Sequence, residues 1–192
     1  PLYHKKEGVS LLLGDAKDTL QALCNELNAN EAQTAPTGAE KIAETPVEEA
    51  GEWLHDAKEV IIVPGYGMAL AQAQQTVKQL ADRLEARGAQ VRFAIHPVAG
   101  RMPGHMNVLL CEADVPYEQL YEMDAINDGF KACDAVLVIG ANDVVNPAAN
   151  TAEGTPIYGM PVLNVADAKH VIICNYDLKP GYAGVENPLY HK

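Results

Sequence analysis

The sequence predicts an α/β protein built on a doubly wound, mostly parallel sheet with helices on both faces. Val9–Leu13, Glu59–Val63 and Ala135–Ile139 are short, nearly continuous apolar runs followed by glycine, the pattern of central strands buried on both faces. Longer segments with helical period lie between them. Strands alternating with helices imply right-handed crossovers and parallel pairing.

The elements follow in chain order. The strand Val9–Leu13 leads into a helix expected over Asp15–Leu27. Residues 28–45, NANEAQTAPTGAEKIAET, are small and polar without a sustained period, and read as a linker. Thr45-Pro46 is a start signal for a helix over Val47–Ala57, because the N–H that proline lacks has no partner in a first turn. Strand Glu59–Val63 then runs into one long helix expected over Met68–Arg87 and stopped by Gly88. Arg92–Ile95 and His170–Cys174 read as two further strands, with shorter helical pieces around Met106–Ala113 and Met123–Lys131.

A chain of 192 residues holds one sizeable core, so a single domain is expected. Its 48% apolar and 21% charged shares are those of an ordinary globular protein. No apolar run approaches the roughly 20 residues that span a bilayer, so no direct membrane insertion is expected. A net charge of -12 repels nucleic acid over most of the surface, which argues against a nucleic-acid partner and requires a local site for any polyanionic ligand. Cys24, Cys111, Cys133 and Cys174 are widely spaced and form no CxxC pair, which fits buried reduced thiols better than disulfides or zinc.

Three stretches carry chemistry. In VIIVPGYGMALAQAQ (60–74) a strand enters Gly65-Tyr66-Gly67 and then a helix, the setting in which backbone N–H groups and a helix N-terminus hold a pyrophosphate. The third fingerprint position is Leu70, so a glycine-rich turn without a ligand remains an alternative for this stretch alone. The acid that usually closes the next strand and binds a ribose is missing, since Ile95-His96-Pro97 stands there. HPVAGRMPGH (96–105) supplies instead Arg101, a guanidinium suited to a phosphate oxygen, or else a solvated loop arginine. His96 and His105 have no third ligand at a supporting spacing, so no metal site is expected. VLVIGANDVVNPAAN (136–150) places Asn142, Asp143 and Asn146 beyond a strand's carboxyl end, where open α/β sheets bind ligands; a capped turn is the plainer alternative.

Together PGYGMALAQAQ, RFAIHPVAGRMPGHMNVLL, VLVIGAND, GMPVLNV, GYAGVENPLY and LLLGDAK strongly resemble the NADP(H)-binding domain of proton-translocating nicotinamide nucleotide transhydrogenase. The resemblance implies a Rossmann-like fold and NADP(H) as cofactor, held in inverted orientation. It implies hydride transfer with NAD(H) on a separate partner domain, and coupling to a membrane domain that conducts protons. The full enzyme would place this part on the cytoplasmic face of a bacterial inner membrane or on the mitochondrial matrix face. Alone, the chain would be an incomplete enzyme that binds but barely turns over.

Carried over by motif, the resemblance implies pyrophosphate contacts at Gly65, Tyr66 and Gly67, with Val98, Ala99, Gly100, Arg101 and Met102 lining the site from the next loop. Gly140, Asn142, Asp143 and Asn146 would flank the ligand, with Asp143 linking redox state to proton translocation. Lys179, Gly181, Tyr182 and Ala183 match a lid over the nucleotide, and Gly14, Asp15, Ala16 and Lys17 a turn near its adenosine end. One departure stands out: many members of the family hold the 2′-phosphate with Lys-Arg-Ser, where this sequence has Asn175-Tyr176-Asp177. Lys179 or Lys17 is the substitute at hand, and preference for NAD(H) is an alternative. A regulatory nucleotide-binding module without redox turnover is another.

The order of the motifs is unusual. PLYHK occurs at 1–5 and again at 188–192, and the GDAK segment that follows the GYAG loop in the family precedes it here. Residues 1–27 therefore read as the family's C-terminal strand and helix, 28–45 as a join between old ends, and 46–192 as the body of a circular permutant. Eighteen extended residues reach about 60 Å, ample for such a join.

Overall fold

The computed structural model describes residues 9–28 and 47–190. Six strands, β1 (Val9–Leu13), β2 (Glu59–Pro64), β3 (Gln90–Ile95), β4 (Leu120–Glu122), β5 (Ala135–Ile139) and β6 (His170–Asn175), form one sheet in the order β1-β6-β5-β2-β3-β4. Every pair is parallel, so the sheet expected to be mostly parallel is wholly so. The helices are α1 (Ala16–Asn28), α2 (Val47–Asp56), α3 (Tyr66–Leu70), α4 (Gln74–Ala86), α5 (His105–Glu112), α6 (Met123–Ile126) and α7 (Ala148–Thr151). The expected linker lies outside the described residues except for Asn28, and so does the opening PLYHK. No helix among the described residues is long and apolar enough to cross a membrane.

Successive strand residues point to opposite faces, so a central strand must be apolar throughout. Val60 and Ile62 of β2 join the core on one face, while Ile61 and Val63 join the core on the other. The first face is covered by amphipathic helices. Leu20, Leu23, Cys24 and Leu27 of α1 recur at helical spacing and are all buried, as are Val77, Leu80, Ala81 and Leu84 of α4. The second face is covered by α6 and short turns carrying Phe130, Val145, Leu163 and Tyr190. Cys24, Cys133 and Cys174 are buried, and burial pushes the Cys174 thiol up to about 12; Cys111 lies exposed on α5.

Counted from β2 with β1 placed last, the spatial order is 6-5-4-1-2-3, that of the doubly wound dinucleotide-binding sheet. The first described strand thus occupies the sixth place, beside β6 in the register Val9↔Val171 to Leu13↔Asn175. At the amino ends of the strands, the Asp134 carboxylate accepts the N–H groups of Lys58 (2.9 Å) and Glu59 (3.1 Å), tying the start of β5 to that of β2. Those two bonds hold its carboxyl below the usual range.

Two local expectations differ from the structure. The helix expected over Met68–Arg87 is two helices, broken at Gln72, whose φ is 50. Met68 and Val77 are both fully buried. Nine residues apart, they would stand about half a turn apart on an uninterrupted helix, so only a break lets both face the core. The helix expected over Met123–Lys131 is α6 followed by a tighter 3-10 stretch, Asn127–Ala132. The short edge strand β4, which no sequence signal announced, pairs with Phe93–Ile95 of β3.

Candidate functional site

The chain runs outward from β2 through β3 to β4, returns to β5 on the other side of β2, and continues to β6. Loops leaving β2 and β5 therefore diverge above neighbouring strands and open a crevice, the ligand position of open α/β sheets. A cleft of about 940 Å³ lies there, lined by the turn after β2 and the loops after β3, β5 and β6, with Met160 entering from a further loop. Its size falls in the range of small-molecule and cofactor pockets.

The glycines on its floor are required by backbone crowding. The Gly65 N–H donates to the Ile139 carbonyl and the Gly67 N–H to the Gly140 carbonyl, each at 2.8 Å. A Cβ on Gly65 would stand 2.3 Å from the Gly140 oxygen, and one on Gly67 2.7 Å from the Gly140 Cα. Gly140 itself has φ +62, and a Cβ there would meet the Met68 nitrogen at 2.3 Å. Two turns are thus packed onto each other, with the Gly65 and Gly67 N–H groups engaged inside the protein.

Above this floor, Arg101 donates from Nε to the Tyr66 hydroxyl and lies with its guanidinium carbon 4.9 Å from the Tyr66 ring centroid. The loop that carries it is built by two histidines. His105 Nδ1 accepts the Arg101 N–H (3.1 Å), and a Cβ on Gly100, at φ +89, would collide with the same ring. His96 Nδ1 accepts the Val98 N–H (3.2 Å), which leaves Nε2 to donate to the Pro161 carbonyl (2.7 Å). Burial holds the His96 pKa below its ordinary value, against the raising effect of that carbonyl. Both residues considered as metal ligands therefore build the loop. Among the described residues no group of His, Cys, Asp and Glu could hold a metal ion.

The segment after β6 crosses the opening and is stapled from β5's loop. Asn142 Nδ2 donates to the Lys179 carbonyl (2.9 Å), and Asn187 Nδ2 donates to Asn142 Oδ1 (3.2 Å) and to its carbonyl (3.3 Å). Asp143 Oδ2 accepts the Ala183 N–H (2.8 Å), and a Cβ on Gly181 would lie 2.4 Å from Asp143 Oδ1. Asn146, fully buried, donates to the Glu186 carbonyl (3.2 Å). Under the lid, Tyr190 donates its hydroxyl to the Ala141 carbonyl (2.8 Å) and accepts from Asn175 Nδ2; burial pushes its phenol well up. Asp143 Oδ1 and Asn175 Oδ1 are buried acceptors without a hydrogen-bond partner.

The structure brings most of the expected site residues to one cleft. Gly65, Tyr66 and Gly67, the loop Val98–Arg101, and Gly140, Asn142 and Asp143 line it, as do Lys179, Gly181, Tyr182 and Ala183. Met102 is 64% exposed outside it, and Asn146 stands behind the lid. Gly14, Asp15, Ala16 and Lys17 lie one strand away: Gly14 donates to the Asn175 carbonyl (2.9 Å), and Asp15 accepts the Lys17 N–H (2.9 Å) at the start of α1. Sequence reasoning missed Leu70, Val144 and Met160 in the lining. It also missed Asn187, whose signal was its place in the NPLY motif.

A doubly wound parallel sheet with a cleft at its switch point defines an α/β protein of the Rossmann-like class. The chain belongs to the NAD(P) transhydrogenase beta subunit family, whose sequence profile matches residues 25–192. It is 54% identical over 145 residues, 76% of its length, to the NAD(P) transhydrogenase subunit beta of Rhodospirillum rubrum. The same figures hold for that subunit from a defined strain of the species. The chain spans 31% of the length of that subunit.

Proposed function

We propose that this chain is the NADP(H)-binding component of a proton-translocating transhydrogenase. It would hold the nucleotide across the carboxyl ends of β2, β5 and β6 and present the nicotinamide to NAD(H) on a partner domain. The observation that carries the reading is the lidded cleft of about 940 Å³ at the switch point, in a chain of this family. The residues present fit a dinucleotide: Arg101 on the wall offers a guanidinium, and the partnerless oxygens of Asp143 and Asn175 are acceptors below the lid.

When bound, the nicotinamide supplies the hydride chemistry. The chain's own residues position and seclude. The packed glycine floor sets the depth of the cleft, Arg101 offers charge at its wall, and the lid held by Asn142 and Asp143 excludes water. Asp143, touching both lid backbone and cleft, is the group we assign to coupling between redox state and the membrane domain of the full enzyme. That enzyme would keep this part at the cytoplasmic face of a bacterial inner membrane or the mitochondrial matrix face.

The strand order supports a circularly permuted arrangement, in which 1–27 supplies the sixth strand and its helix, 28–45 is a join, and 46–192 is the body of a single domain.

The test is to add a purified NAD(H)-binding domain and follow hydride exchange between nucleotide analogues. Exchange that needs both proteins supports the component reading. Bound nucleotide without exchange would refute it and leave a regulatory binding module.

A further inference from the structure

Leu189 and Tyr190 close the core on the second face of the sheet. They are 7% and 3% exposed and belong to the cluster that holds Leu11, Val138, Ala141 and Ile173. The Tyr190 hydroxyl donates to the Ala141 carbonyl (2.8 Å) and accepts from Asn175 Nδ2, so the phenol ends in a socket with one acceptor and one donor. The main chain is held as well: the Tyr190 N–H donates to the Asn187 carbonyl (3.0 Å) and the Leu189 N–H to Asn187 Oδ1 (3.1 Å).

The sequence holds two segments with the side chains for this socket. PLYHK stands at 188–192, where Pro188–Tyr190 form a 3-10 turn, and again at 1–5; Pro-Leu-Tyr occurs nowhere else in the chain. The first copy is tied to the sheet close by. Val9 of β1 pairs with Val171, and Asn175, which bonds the phenol, lies four residues further along β6. That is about 14 Å away, from about 3.3 Å per residue along a strand and about 4.8 Å between strands. Six residue steps separate Tyr3 from Val9 and reach about 20 Å extended, with Gly8 where the path turns into β1. The second copy is favoured by Asn187, which holds its backbone and also donates to Asn142, an anchorage that residues 1–5 do not supply.

We propose that Leu2 and Tyr3 compete with Leu189 and Tyr190 for this one socket, the second copy as the major occupant and the first as a minor one. While the first copy holds the socket, Leu189 and Tyr190 leave it, and the segment that crosses the cleft loses its anchorage beyond Asn187. The exchange follows from the duplicated sequence and holds whatever ligand the cleft takes.

The experiment has two readouts on the full chain. In urea denaturation, the unaltered protein is compared with Leu2→Ala/Tyr3→Ala, with Leu189→Ala/Tyr190→Ala and with the variant carrying all four substitutions. The first-copy pair is expected to change the unfolding constant by less than about twofold in the unaltered chain. Once the second copy is gone, the same pair is expected to raise it by about thirtyfold or more, because only then does it empty the socket. An equally small effect in both backgrounds, or a Leu189→Ala/Tyr190→Ala protein that does not fold, would overturn the proposal. A variant with all four substitutions that fails to fold beside a folded Leu189→Ala/Tyr190→Ala supports it. Rescue that grows with protein concentration would overturn it in favour of docking between chains. The second readout is fluorine NMR of the chain labelled with 3-fluorotyrosine, with Tyr3→Phe and Tyr190→Phe assigning the two resonances. Tyr190→Phe lacks the hydroxyl that bonds Ala141, so the buried share of Tyr3 is expected to rise about fivefold. A Tyr3 resonance that does not move in Tyr190→Phe would overturn the competition.

Discussion

Replacing Asn142 by alanine removes the donor to the Lys179 carbonyl and the acceptor for Asn187 Nδ2. The Asn187 bond to the Asn142 carbonyl survives, because that oxygen belongs to the backbone. Two side-chain hydrogen bonds of ordinary strength contribute about 1 kcal/mol each, so closing the lid loses about 2 kcal/mol. That corresponds to a roughly 30-fold rise in the open population, since about 1.4 kcal/mol is a factor of ten. The assay is amide hydrogen exchange on the ligand-free protein, and the reporter is the Ala183 N–H, held by Asp143 Oδ2 when the lid is closed. Its protection is expected to fall about 30-fold while amides of β5 and β6 keep theirs, because local opening leaves the core untouched. Unchanged protection at Ala183, or an equal loss throughout β5 and β6, would refute the view that Asn142 staples the lid.

Two further predictions concern the folded scaffold. Gly140→Ala is expected to cost more than about 4 kcal/mol in urea denaturation, because it meets fixed backbone at Met68, whereas Gly88→Ala, at φ +89 with nothing within 4 Å, is expected to cost about 1–2 kcal/mol for conformation alone. Equal costs would show that crowding is not what demands glycine on the floor. His96 is held neutral by burial, with its pKa below 6.5. Above that pH neither folded nor unfolded chain protonates it, and it has no effect. Below it the unfolded chain takes up a proton that the folded chain refuses, so stability falls by up to about 1.4 kcal/mol per pH unit until the folded pKa is reached. His170, lowered first by burial, acts with the same sign. His96→Asn is expected to flatten the decline of the urea midpoint toward acid pH, and an unaltered slope would discount His96.

Much of this fold is legible because its central strands are buried on both faces. Such strands must be apolar without interruption, and the extent of β5 follows from that alone; β1 shows nearly the same run although it stands at the edge of the sheet and not in its centre as expected. The break at Gln72 has no glycine or proline to announce it; it is imposed by Met68 and Val77 both needing the core. β4 is three residues long and exists because β3 offers an edge. In the site, residues following a strand end were legible through glycine and Asx signals, since the fold itself places strand ends at the crevice. Met160 was not, because it stands in the GMPVLNV loop, far along the chain from the strand ends that mark the crevice. The roles of Asn142 and Asn146 were equally hidden: their partners lie about forty residues along the chain, and no spacing rule connects a side-chain amide to a distant backbone carbonyl.

The position of β1 also bears on how the chain is made. Val9 pairs with Val171, so during synthesis the earliest of the described strands waits for the latest before it has anything to pair with. At ribosomal rates of about 5–20 residues per second, that wait is roughly 10–30 s. For that interval β1 has no strand beside it, whereas Leu20, Leu23 and Leu27 of α1 can already meet α2 and α4, which precede β6 in the chain. The strand order therefore makes closure of this sheet a late event in synthesis, set by the arrival of β6 rather than by the intrinsic speed of folding.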